Sequence, residues 1–263
     1  MFDGINSRFD PIAAHQSSYA VFGRDKELAE MRARLETRRS FVLHGPAGAG
    51  KTFLLRSVIS SYPWVLYCAD TVSSQNMFQQ LATELVRKNN REALAKLRRD
   101  GVELRRKSAI AVRGVVLNAL HEGRYSAVLD HLRCPSAALA ADIRDLMHWG
   151  NTSVIGVARS AHMEEMGFIG SYFALRSERM ELRNLQAGEA LSFAEYLAQR
   201  IELSASNRQE FLRKVVEFSN GAPGAIATMI RMASLPRYRC GDHIKVSPLY
   251  IDSRLAWHAA NAF

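Results

Sequence analysis

Cysteine is scarce in this 263-residue chain, with Cys68, Cys134 and Cys240 scattered and odd in number. None sits in a CxxC pair or beside a histidine at metal spacing, which argues against a disulfide scaffold or zinc cluster and for reduced, structural thiols. Long apolar runs are missing as well. No stretch reaches the roughly 18 to 20 residues that a membrane-spanning helix needs. The start, Met1-Phe2-Asp3-Gly4-Ile5-Asn6, has neither the basic nor the apolar part of a signal peptide. The expected location is the cytoplasm, with no membrane partner. Internal repeats and low-complexity tracts are also absent. With 48% hydrophobic and 23% charged residues, the chain has the composition of an ordinary globular protein able to bury a large core, not of a disordered one.

Acidic charge is in short supply, and the net charge of +9 is unevenly spread. Between Arg87 and Lys107 nine basic residues face three acidic ones, so six of the nine net charges lie in this one segment. A solvated helix face is the commoner explanation. The alternative is an electrostatic surface for nucleic acid or an acidic partner. No aromatic residue interleaves these charges, which argues against a platform for stacking single-stranded bases.

What the chain does have is a complete GxxxxGK[ST] sequence, Gly45-Pro46-Ala47-Gly48-Ala49-Gly50-Lys51-Thr52. It lies between the apolar run Phe41-Val42-Leu43 and a helical stretch beginning at Phe53, the strand, loop and helix order of a phosphate-binding P-loop. The glycines allow positive φ, so that successive backbone N–H groups turn inward as an anion nest at a helix N-terminus. Lys51 then reaches the β- and γ-phosphates, and Thr52 holds Mg²⁺.

Alternating elements surround this loop. Strands are expected at Phe41 to His44, Trp64 to Ala69, Ser126 to Asp130, Ser153 to Ala158 and Arg179 to Leu182, with helical patterns between them. Such alternation predicts a mainly parallel sheet covered on both faces, an α/β fold. From Gly188 the strands stop and three helical patterns follow: Ala190 to Ile201, Asn207 to Phe218 and Ala225 to Ala233. The expected organisation is an irregular arm over 1–20, an α/β domain over 21–186, a helical unit over 187–236 and a tail over 237–263 that packs back on the body.

A P-loop needs a carboxylate to orient Mg²⁺, directly or through water. Asp130 closes the third strand and fits that task; the alternative is a strand-end cap. Arg159, at the end of the fourth strand, is placed to read a γ-phosphate, or else it begins a surface loop. Gly221-Ala222-Pro223 forms the turn between the last two helical patterns, where glycine ends one helix and proline starts the next.

Taken in order, Phe22-Gly23-Arg24 with Glu27-Leu28, Gly45 to Thr52, Val128-Leu129-Asp130, Arg159 and Gly221-Ala222-Pro223 resemble the AAA+ and STAND branch of P-loop ATPases, over roughly residues 20 to 235. The resemblance implies a P-loop NTPase sheet with a C-terminal helical lid, ATP and Mg²⁺ as ligands, and a protein partner or self-assembly controlled by nucleotide. It puts Phe22, Gly23 and Arg24 on the base side of the nucleotide with Pro223 nearby, and Phe53 just beyond the loop joins the binding set. His131 departs from the pattern: in many members a glutamate follows the aspartate and polarises the attacking water. An imidazole can accept a proton near pH 7 but lacks a fixed negative charge.

Three functions follow. The leading one is an ATP-binding switch with slow ATPase activity, in which Lys51, Asp130, His131 and Arg159 do the chemistry. The second is a nucleic-acid-associated ATPase, resembling transposition helpers or origin-recognition-type proteins, that uses the basic 87–107 segment. The third is a nucleotide sensor that never hydrolyses. A small-molecule kinase is less favoured, because no acceptor-binding motif is apparent.

Overall fold

The computed structural model describes residues 22–88, 90, 95 and 109–261. Most of the basic segment from Arg87 to Lys107, and the arm over 1–20, fall outside the described residues.

Five short strands make one sheet: β1 (Phe41–His44), β2 (Val65–Cys68), β3 (Ser126–Leu132), β4 (Ser153–Ala158) and β5 (Arg179–Glu181). Their order is β2-β3-β4-β1-β5 and every pairing is parallel. Helices α1 (Asp25–Glu36) and α2 (Lys51–Ile59) pack on one face; α3 (Ser74–Arg87), α4 (Ala109–Gly123) and α5 (Ala137–His148) pack on the other. Strands buried on both sides read as apolar runs rather than as alternating patterns. Polar caps start the helices cleanly: Ser73 and Ser136 accept the N–H groups of Asn76 and Leu139 at 3.2 and 3.3 Å.

This strand order decides where chemistry is found. Because β4 lies between β1 and β3, the loop after β1 and the end of β3 face each other across the end of β4. Ligands bind outside the carboxyl ends of such sheets, where connections leave in opposite directions.

The third strand is longer than its sequence pattern suggests. It runs on to Leu132 through His131, which takes a φ of 56°, and its register against β4 shifts between Leu129 and Leu132. Such a bulge re-aims side chains at a sheet end. Pattern reading stops at Asp130 because a polar pair ends the apolar run.

The C-terminal region is helical around its own core, with a short α6 (Met163–Met166) preceding it in the chain and three longer helices composing it: α7 (Ala187–Arg200), α8 (Arg208–Ser219) and α9 (Pro223–Met232). The hairpin β6 (Arg239–Cys240) and β7 (His243–Ile244) and helix α10 (Val246–Asn261) follow. Tyr238, Ile244 and Leu249 from this last stretch are buried in the same core as Phe211, Val215 and Ile226. Pro248 is tolerated because it falls in the first turn of α10, where a missing N–H removes no helical bond.

Candidate functional site

Gly45 leaves β1 with its N–H donated to the carbonyl of Arg159 at 3.2 Å. A Cβ here would lie 2.0 Å from the backbone oxygen of Leu182, so the loop passes too close to β5's exit for any side chain. The phosphate loop ends at Gly50, which caps α2 in the left-handed region with φ 92°. Lys51 bends back over the loop: its Nζ donates to the carbonyls of Gly45 and Pro46 at 2.6 and 2.9 Å. Burial lowers its pKa to about 8, with Arg159 adding to the effect against the pull of Asp130.

Thr52 Oγ1 donates to Asp130 Oδ2 at 2.9 Å. Two hard oxygens thus meet at the loop's edge, a donor pair that suits Mg²⁺ completed by phosphate oxygens and water. Among the described residues no group of three or more His, Cys, Asp or Glu converges as a metal cage. Asp130 is only 1% exposed and its carboxylate is heavily used. Oδ2 also accepts from Tyr67 OH at 2.6 Å, Oδ1 accepts from the His131 N–H at 2.8 Å, and the Asp130 carbonyl accepts from Thr71 Oγ1 at 3.0 Å. Burial and this carboxylate together push the Tyr67 phenol well above its ordinary pKa.

These groups open onto a cavity of about 700 Å³ that runs between the sheet's end and the helical unit. Lys51, Thr52, Phe53, Asp130, His131, Arg159 and Pro223 all line it, with Ala47, Gly48 and Gly50 of the loop. The helical unit contributes Phe193, Leu197, Gly224 and Ala227, an apolar wall opposite the polar one. A backbone bond ties the two sides: Gly224 N–H donates to Gly48 O at 3.0 Å. The helix α9 that supplies Gly224 starts at Pro223, so an N-terminal helix end faces the phosphate loop.

Phe22, Gly23 and Arg24 stand behind this wall, outside the set of residues that line the cavity. Phe22 packs its ring on Phe193 and Tyr196, with centroids 5.7 and 4.8 Å away, and so braces the helix that carries Phe193. Gly23 sits under Glu189, where a Cβ would come within 2.7 Å of the carboxyl carbon. Arg24 is buried and reaches Glu27 Oε1 at 2.9 Å, Ala49 O at 3.4 Å and Arg183 O at 2.5 Å, linking the phosphate loop to the strand β5 exit. Pro46 and Ala49 belong to the loop backbone, Pro46 through its carbonyl on Lys51 and Ala49 through its N–H on the Pro46 carbonyl.

Several lining residues carried no motif. Thr71 lines the cavity and Tyr67 stands behind Asp130; both are isolated in sequence and reach Asp130 only because β2 pairs with β3. Asp70 follows the second strand by two residues, and that position beside a neighbouring parallel strand was the available signal. Arg133 and Phe193 had none.

Comparisons with known proteins agree with this architecture. None of the curated proteins matches the chain. Among solved structures, a Walker-type ATPase of Pyrococcus abyssi superposes with a TM-score of 0.63 at 15% identity, covering 92% of this chain and 75% of that one. The ORC1 protein of Aeropyrum pernix, solved in complex with DNA, gives 0.64 at 15%, with coverage of 91% and 66%. A STAND protein of Pyrococcus horikoshii with a tetratricopeptide repeat sensor gives 0.51 at 16%, and this chain, covered to 92%, spans 34% of its length. At these identities the likeness is one of fold. The family model described as an AAA ATPase domain matches residues 20–218, well over half of the sequence, and the chain therefore belongs to that family of AAA+ P-loop ATPases.

Proposed function

We propose that the protein is an ATP-controlled switch that binds ATP with Mg²⁺ between its α/β domain (21–186) and a helical lid (187–236), and hydrolyses it slowly. The observation that carries this reading is the Gly224 N–H to Gly48 O bond, which joins lid to phosphate loop across the cavity that also holds Lys51, Thr52 and Asp130. In it, the loop N–H groups and Lys51 take the phosphates, Thr52 and Asp130 orient the ion, Arg159 senses the γ-phosphate, and Pro223 lies on the base side. Phe22, Gly23 and Arg24 act by holding the lid helix and loop in place. Bound Mg²⁺ supplies charge neutralisation of the phosphate oxygens. The lid and loop share a hydrogen bond that a triphosphate strengthens by bridging both sides, and loss of the γ-phosphate releases that bias. The tail (237–263) moves with the lid, since Tyr238, Ile244 and Leu249 lie in its core.

Titration of Lys51→Ala with a fluorescent ATP analogue in Mg²⁺ tests the reading: affinity falls at least tenfold. Unchanged affinity overturns it.

A second reading, an ATPase that works on nucleic acid, is favoured by the six net positive charges between Arg87 and Lys107 and by the fold shared with an ORC1 protein solved with DNA. Its signature is duplex DNA binding whose affinity falls steeply with salt and changes with ATP. No binding at low salt removes it.

A further inference from the structure

Hydrolysis needs a group that takes a proton from the attacking water, and the aspartate that orients the metal is poorly suited to be that group here. Asp130 is buried and accepts three hydrogen bonds, from Thr52, Tyr67 and the His131 N–H. The residue after it, His131, sits in the left-handed bulge with its side chain 67% exposed and its Nε2 turned back to 4.0 Å from Asp130 Oδ2.

Among the described residues the cavity is lined by one other carboxylate, Asp70. It follows β2, two residues past the last β2–β3 pair of Cys68 with Leu129, so it comes level with His131 at the same sheet end. Its neighbour Thr71 is buried and bonded to the Asp130 carbonyl, which pins this turn against β3. The Asp70 side chain is itself held: Oδ1 accepts from the Val72 N–H at 3.2 Å and Oδ2 from Asn76 Nδ2 at 3.3 Å. Each oxygen keeps an open acceptor site and the residue is exposed to the cavity.

We propose that Asp70, delivered from the neighbouring strand, is the general base for ATP hydrolysis and replaces the carboxylate missing at position 131. The inference rests on the ATPase reading above. As the water oxygen forms its bond to the γ-phosphorus and the bond to the ADP oxygen breaks, one water proton passes to an Asp70 oxygen and then to solvent with the released phosphate. A carboxyl group open to the cavity suits this task better than an imidazole turned towards another carboxylate.

Single-turnover hydrolysis of bound ATP, measured together with ATP affinity and the melting temperature, tests the assignment. Asp70→Asn keeps an acceptor for Val72, so it should fold and bind ATP within about threefold of the wild type, yet lose about a hundredfold in hydrolysis. A loss of about a hundredfold in His131→Ala beside an unchanged rate in Asp70→Asn gives the base to the imidazole and overturns the assignment. Wild-type turnover in Asp70→Asn overturns the assignment and leaves the ATPase reading standing, and so does loss of ATP binding in that variant. A wild-type protein that binds ATP tightly and never turns it over overturns both.

Discussion

Gly221 is the residue on which the lid's attachment turns. It follows the left-handed Asn220 at the end of α8 with a φ of 70°, and a Cβ added there would lie 2.2 Å from the carbonyl oxygen of Leu185. An L side chain at this φ costs about 1 to 2 kcal/mol. The clash is with backbone, so it is relieved only by moving the two chains apart, which sacrifices the Leu185 N–H to Gly221 O bond of 2.9 Å, worth about 1 kcal/mol. Gly221→Ala is therefore expected to destabilise the protein by about 2 to 4 kcal/mol, which for a chain of this size lowers Tm by about 4 to 16 °C. The assay is thermal unfolding by circular dichroism, with Asn220→Gly as the control. That change places glycine at a φ of 48° and leaves the Asn220 carbonyl free to accept from Asn184, so it stays within about 1 kcal/mol of the wild type. The strain also shifts the start of α9 and with it Gly224, so ATP affinity falls alongside Tm. A Gly221→Ala protein within about 0.5 kcal/mol of the wild type would falsify the reasoning.

Lys51 provides a pH test. Its pKa of about 8 in the nucleotide-free protein, against 10.5 unperturbed, means that its proton is lost as pH rises through about 8. In the proposed role the protonated ammonium is the form that binds phosphate, and phosphate raises its pKa. ATP affinity is thus level below about pH 8 and falls above it, by up to about tenfold per unit, as calorimetry between pH 7 and 9.5 can show. A flat profile refutes this. The sign for folding is opposite: between about 8 and 10.5 the unfolded lysine still holds its proton, so the nucleotide-free protein gains stability as pH rises. Tyr67→Phe removes a 2.6 Å bond to a buried carboxylate and is expected to cost about 1.5 to 3 kcal/mol in denaturant unfolding; an unchanged midpoint contradicts the role of Tyr67 in holding Asp130.

Much of the fold is legible in the sequence for a simple reason. The inner strands are buried on both faces and so appear as continuous apolar runs, as at Phe41–His44 and Ser153–Ala158, and these two have the expected bounds. Where burial is shared with polar groups the bounds shift. The third strand continues through Asp130 and His131 because a bulge absorbs them, and the final hairpin and α10 are invisible until Tyr238 and Ile244 find the core of the helical unit. The candidate site divides in the same way. Lys51, Thr52 and Asp130 belong to local patterns with a fixed spacing or strand-end position. Tyr67, Thr71, Asp70 and Phe193 lie tens of residues away in sequence from what they face.

By itself, then, the amino-acid order determined the phosphate loop, the alternation that builds a parallel sheet and the helical character of the C-terminal region, because each depends on contacts within one or two turns of chain. Tertiary structure alone decided the rest. The order β2-β3-β4-β1-β5 brings the loop, Asp130 and Arg159 to one sheet end and sets Asp70 beside them. It also turns Phe22 into a brace for Phe193 and joins the lid to Gly48 through the Gly224 N–H. Those outcomes rest on which strands pair and which helices pack, and no local spacing encodes them.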